Sequence, residues 1–125
     1  MVEAVVRLIA VLVLLAALVA GYTALVLNVS YSEGERAGVL QKFSRKGWVC
    51  KTWEGELAMT TVPGVAPVLW QFSVRDARVA EQIRQTLGRW VVAHYHEHRG
   101  VPTSCFGETP YFVDSVTVRS GPPGG

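Results

Sequence analysis

Between Leu8 and Val29 the sequence has no charged residue at all, and Leu, Val and Ala predominate. As a helix this run measures about 33 Å, enough to cross a bilayer core of about 30 Å. Other absences narrow the chemistry. No G-x-G-x-x-G and no G-x-x-x-x-G-K-[ST] occurs, so a bound dinucleotide or nucleoside triphosphate has no local support. Internal repeats are missing. Only two cysteines, Cys50 and Cys105, are present among 125 residues, which permits a single pairing. They read either as two reduced thiols in a cytoplasm or as one bridge in an oxidising compartment. Acidic residues are absent from Arg36 to Trp53, whereas five basic ones stand there.

The first 29 residues therefore read as an N-terminal transmembrane anchor. A cleaved signal peptide is the competing reading. A cut after Ala20 would leave Leu18 at the minus-three position, against the small-residue rule, and the apolar run continues through Tyr22, Ala24, Leu25, Val26 and Leu27. An uncleaved single-pass anchor is expected. Arg7 and the terminal amine lie before the span, and Arg36, Lys42, Arg45 and Lys46 after it. That bias places the C-terminal domain on the cytoplasmic side.

After the anchor the pattern switches to alternation. Ala37 to Phe43 reads as a strand, Ser44-Arg45-Lys46-Gly47 as a tight turn, and Trp48 to Met59 as the returning strand. Gly38 and Gly55, inside these strands, suit a bulge or a bend. The two prolines of Thr60–Pro67 mark a loop before a short strand at Val68 to Val74. In "RDARVAEQIRQTLG" the apolar Val79, Ala80, Ile83 and Leu87 share one helical face, with Asp76 to cap the start and Gly88 the end. Arg89 to Glu97 alternates again, a loop runs from His98 to Pro110, and a last strand spans Tyr111 to Arg119. Residues 120–125 read as a disordered tail.

Residues 30–119 thus form a small mostly-β domain of five strands, with one helix between strands 3 and 4. That is the element order of an OB-like five-stranded barrel. Another small barrel or an α+β sheet shares the same order. In an OB-like barrel the loops after strands 1 and 4 flank one face, which would gather Arg45, Lys46, Trp48, His98, Arg99 and Phe106 as binding-face candidates. Basic groups beside aromatic rings suit nucleic acid or an anionic head group. From Ser30 onward, however, 11 basic side chains face 9 acidic ones. That balance is too weak for a nucleic-acid binder. Trp48, Trp53 and Trp70 are candidate anchors for a protein partner, burial in the core being the competing fate for them.

The same geometry brings Cys50 toward Cys105, as a disulfide or a thiol pair. In "HYHEH" the residues His94, His96 and His98 alternate, so on a strand they share a face. Together with a thiolate they could hold zinc or another divalent ion, though the spacing matches no closed structural zinc pattern. Cys105 with His98 would need a lowered thiol pKa and an orienting group to act as a nucleophile. Nothing selects a carboxylate pair. No enzyme activity and no cofactor are expected.

The stretches "YSEGERAGVLQKFSRKGWVCKTWEGELAM" and "VPTSCFGETPYF" resemble an uncharacterised family of small bacterial membrane proteins. Its members join one N-terminal span to a short β-rich domain, and the likeness covers nearly the whole chain. Some such sequences carry the label 6-phosphogluconate dehydrogenase. This chain is far too short for that enzyme and lacks its dinucleotide fingerprint, so no functional residue is carried over. The resemblance implies a bacterial inner-membrane protein. The expected role is non-enzymatic: a membrane-anchored binding or assembly module, meeting lipid through its helix and a protein partner through its barrel. A metal or thiol site built from Cys50, Cys105 and the HYHEH histidines is the first alternative. An accessory subunit of a larger membrane complex is the second.

Overall fold

The structure, a computed structural model, describes residues 1–59, 64, 66 and 68–119. Most of the expected Thr60–Pro67 loop and all of the 120–125 tail lie outside the described residues. Helix α1 covers Val2–Asn28 and buries none of its side chains. Its length and mean hydropathy of 2.7 are those of a membrane span or a signal sequence. Six further elements follow: β1 (Ser32–Lys46), β2 (Thr52–Ala58), β3 (Leu69–Val74), α2 (Ala77–Arg84), β4 (Trp90–Glu97) and β5 (Tyr111–Val118).

The five strands form one mixed sheet in the order β1-β2-β3-β5-β4, and β1 closes it into a barrel by pairing at both ends of the series. From Ser32 to Val39 it pairs with β4, and from Val39 to Lys46 with β2. Fifteen residues, against the seven expected from alternation, are what this double duty requires. The register slips between Leu40 and Lys42, leaving Gln41 as the extra residue where the strand changes partner. Such a bulge bends a strand and sharpens its twist. The expected bend therefore falls at Gln41 rather than at a glycine. Gly55 instead answers a close approach: it lies directly across from Phe72, and a Cβ there would run into the Phe72 ring.

The first turn also lies further on than expected. Ser44 to Lys46 remain in β1, and the connection is residues 47–51, so Trp48 is in a loop and not in β2. Gly47 has φ 136°, and a side chain there would strike the Cys50 carbonyl, which fixes glycine at this corner.

Leu40, Leu57, Phe72, Val74, Ile83 and Val91 are fully enclosed and, with Ala93 and Val113, fill the interior. Each large apolar side chain so buried contributes about 1.5–3 kcal/mol. Helix α2 supplies Ala80 and Ile83 to this core. Asp76 caps it as expected, accepting from the Arg78 N–H at 2.7 Å. It stops at Arg84, however, and Leu87 is exposed. Beyond the helix, Gly88 (φ 84°) donates its N–H to the Leu40 carbonyl at 2.7 Å, which turns the chain back toward β1. Thr86 is buried where Leu87 was expected.

Candidate functional site

The loops after β1 and β4 are joined covalently, since Cys50 and Cys105 form a disulfide with their Cα atoms 4.9 Å apart. Of the two states left open by the sequence, the structure holds the bridge. It leaves no thiolate for metal binding or nucleophilic attack, contrary to the site expected from Cys50, Cys105 and the histidines. The second loop is also pinned from inside. Ser73 donates its hydroxyl to Glu54 at 2.6 Å, and the Thr109 N–H donates to the Ser73 oxygen at 3.0 Å. Glu54 and Ser73 are both buried, so this chain of hydrogen bonds ties the loop before β5 to strands β2 and β3.

Five of the six binding-face candidates are engaged within the chain. The Arg45 guanidinium lies 5.2 Å over the half-buried Trp53 ring. Lys46 pairs with Glu108 at 3.0 Å, a contact that raises the lysine pKa through the hydrogen bond and the charge of Glu108. Arg99 pairs with Glu97 at 2.9 Å and lies 3.6 Å over the Tyr31 ring. Phe106 is half-buried with Arg75 5.8 Å from its ring centre. Trp48 alone projects freely; it is fully exposed beside an equally exposed Val49. Of the other candidate anchors, Trp70 is buried against Phe72, Tyr95 and Tyr111.

His98 has a different place from the one its spacing suggests. It is buried, and its Nδ1 lies 2.8 Å from the Val26 carbonyl and 3.2 Å from that of Val29. Carbonyls only accept, so Nδ1 carries the proton and His98 caps the C-terminal end of α1. That end has no basic residue of its own in its last turn. Tyr22 adds a second tie, donating to the Gly100 carbonyl at 2.8 Å. His98 is thus removed from the expected histidine triad.

His94 and His96 do share a face, and two carboxylates join them. Glu33 sits across from His96 in the β1–β4 register. Asp114 has no partner in the β4–β5 register, which jumps from His94–Ser115 to Tyr95–Val113. It is the bulge residue, and the bulge turns it outward beside Ser115 while Phe112 and Val113 both face inward. From there Asp114 reaches His94 Nδ1 at 2.7 Å through one oxygen and His96 Nε2 at 2.9 Å through the other. On the opposite side, Glu33 lies 3.0 Å from His94 Nε2 and 3.8 Å from His96 Nδ1. The hydrogen bond to Asp114, aided by Glu33, raises the His94 pKa above its ordinary value. Burial alone would raise the Asp114 carboxyl, but its bonds from His94 and His96 outweigh that and hold it low.

Alternation in "HYHEH" was enough to find His94 and His96. Glu33 needed the pairing of β1 with β4, and Asp114 needed a bulge that interrupts alternation. No curated protein matches this chain. Residues 29–120, which contain all five strands and α2, match one family profile, and the chain belongs to that family, described as Domain of unknown function (DUF8785).

Proposed function

We propose that the chain is a non-enzymatic, membrane-anchored module whose OB-like barrel takes hold of a protein partner through the loop bearing Trp48. The strand order, the doubly paired β1 and the helix between β3 and β4 support the OB-like reading. The observation that carries the function is the exposure of Trp48 and Val49 on a loop fastened by Cys50. An exposed aromatic is the kind of group that supplies much of an interface's binding energy once a partner buries it. The neighbouring cations support protein over nucleic acid, because Arg45, Lys46 and Arg99 are already engaged.

The barrel, in this reading, stands on the oxidising side of a bacterial inner membrane, with α1 in the lipid. Charge bias and disulfide point to opposite sides, and the disulfide carries more weight. The charge rule holds for short loops and loses force for a folded domain that crosses as a unit. A structural disulfide needs an oxidising compartment.

A photo-crosslinking residue in place of Trp48, in native membranes, tests the proposal. A discrete adduct formed from position 48, and not from the exposed position 87 just beyond α2, is expected. Equal labelling from both positions, or none from 48, would overturn it. An adduct with an integral membrane protein would assign the chain as an accessory subunit.

A further inference from the structure

We propose that Glu33, His94 and His96 bind a transition-metal dication of the Zn²⁺ class, with Asp114 orienting both imidazoles from behind. The site lies on the outer face of β1, β4 and β5, and it does not depend on the membrane reading.

Asp114 fixes which nitrogen of each ring is left for a ligand. Asp114 offers one oxygen to each ring, and a carboxylate can only accept. His94 therefore donates through Nδ1 and His96 through Nε2. The nitrogens left over, His94 Nε2 and His96 Nδ1, carry lone pairs when the rings are neutral. Both turn toward the Glu33 carboxylate. Two imidazole lone pairs facing a carboxylate repel. A second proton on His94, donated from Nε2 to Glu33 at 3.0 Å, relieves this in metal-free protein, and a cation between the three groups relieves it by displacing that proton. One ligand atom from each of Glu33, His94 and His96 falls within 4.8 Å of the others. A tetrahedral zinc ion with bonds of about 2.0–2.1 Å holds its ligand atoms about 3.3 Å apart, inside that span.

Three features show construction rather than chance proximity. The two rings stand at 81° to each other, with centres 5.2 Å apart, and the nitrogen of each that faces away from Asp114 faces Glu33. The β5 bulge falls at Asp114, whose two oxygens hydrogen-bond one ring each, and bulges commonly re-aim side chains beside functional sites. A carboxylate behind a ligating histidine is the usual device for fixing tautomer and ring angle. Two imidazoles with one carboxylate suit zinc, copper or nickel better than calcium or magnesium. Three protein ligands leave a fourth position for water or for a ligand from outside the chain.

The test uses the full chain in nanodiscs, stripped with chelator, then titrated with Zn²⁺ by calorimetry and with Co²⁺ by visible absorption. One ion per chain and a tetrahedral cobalt spectrum are expected. His94→Gln and His96→Gln should each abolish that binding, and Asp114→Asn should weaken it by about ten- to a hundredfold. Both histidines are partly exposed, and retained circular dichroism with an intact disulfide verifies that the variants fold. No saturable binding, or binding that Glu33→Gln and Asp114→Asn leave unchanged, would overturn the site. The former result would mean that a doubly protonated His94 supplies the positive charge beside Glu33 and Asp114; the latter would mean adventitious capture by surface imidazoles.

Discussion

The Nδ1 of His98 caps the Val26 carbonyl at 2.8 Å, across 72 residues of sequence. One imidazole thereby joins the end of the apolar helix to the start of the loop after β4. Tyr22, bonded to the Gly100 carbonyl, reinforces the joint. The apolar helix and the barrel are not simply tethered; His98 of the barrel domain caps the helix end.

His98→Ala should therefore uncouple the two parts. Removing the donor takes the side-chain partner from the carbonyls of the partly buried Val26 and the exposed Val29, at a cost of about 0.5–1.5 kcal/mol. Limited proteolysis in nanodiscs should show faster cutting between Val29 and Tyr31, and His98→Asn, which keeps a donor, should restore much of the protection. Unchanged cutting in the alanine variant would contradict the joint.

Replacing both Cys50 and Cys105 by serine opens a closed loop of 55 residues' separation. By the chain-entropy relation this lowers stability by about 4 kcal/mol. Thermal melts of the purified chain, compared with the wild type under reducing and non-reducing conditions, read it directly. The serine variant should lose all sensitivity to reductant.

Ser73→Ala leaves the buried Glu54 carboxylate without its closest donor. A loss of about 1–3 kcal/mol is expected from the unmet acceptor. Gly55→Ala, which forces a methyl into the Phe72 ring, should cost about as much through overpacking. Denaturant titration measures both. The two should differ in kind: only Ser73→Ala should also loosen the loop before β5, seen as faster hydrogen exchange at Thr109.

The folded-state pKa of His94 lies above 6.5 because Asp114 and Glu33 favour the imidazolium. In chelator-treated protein its contribution to stability is complete below the unfolded value and is lost as pH rises through the folded one. Stability should thus decline as pH rises above 6.5 and through the raised folded-state value. His94→Gln should flatten that part of the curve, as followed by thermal melts over a pH series. A variant with an undiminished slope would place the titration elsewhere.

Much of this architecture is legible in the residues themselves. The charge-free run marks α1, alternation marks five strands, and Asp76 marks the start of α2. What alternation hides is every place where it is broken. Gln41 and Asp114 are bulge residues, and neither the length of β1 nor the position of Asp114 follows from a period of two. The end of α2 is set by the tie between Gly88 and Leu40, a tertiary contact that overrides the apolar periodicity at Leu87. Trp48 reads as a strand residue by composition, yet the corner at Gly47 and the bridge at Cys50 hold it in a loop. His98 continues the spacing of His94 and His96, but its partner is the end of a helix far away in sequence. Distance along the chain, more than residue type, separates what could be read from what could not.

The side of the membrane on which Cys50 and Cys105 reside is the most direct test, because the disulfide, the anchor and the exposed Trp48 belong to one picture. Membranes from a bacterial host should be denatured in alkylating reagent without reductant, alongside a topology reporter fused after Gly125. The expected result is no alkylation until reductant is added, with the reporter active outside the cytoplasm. Two freely alkylated thiols with a cytoplasmic reporter would contradict it.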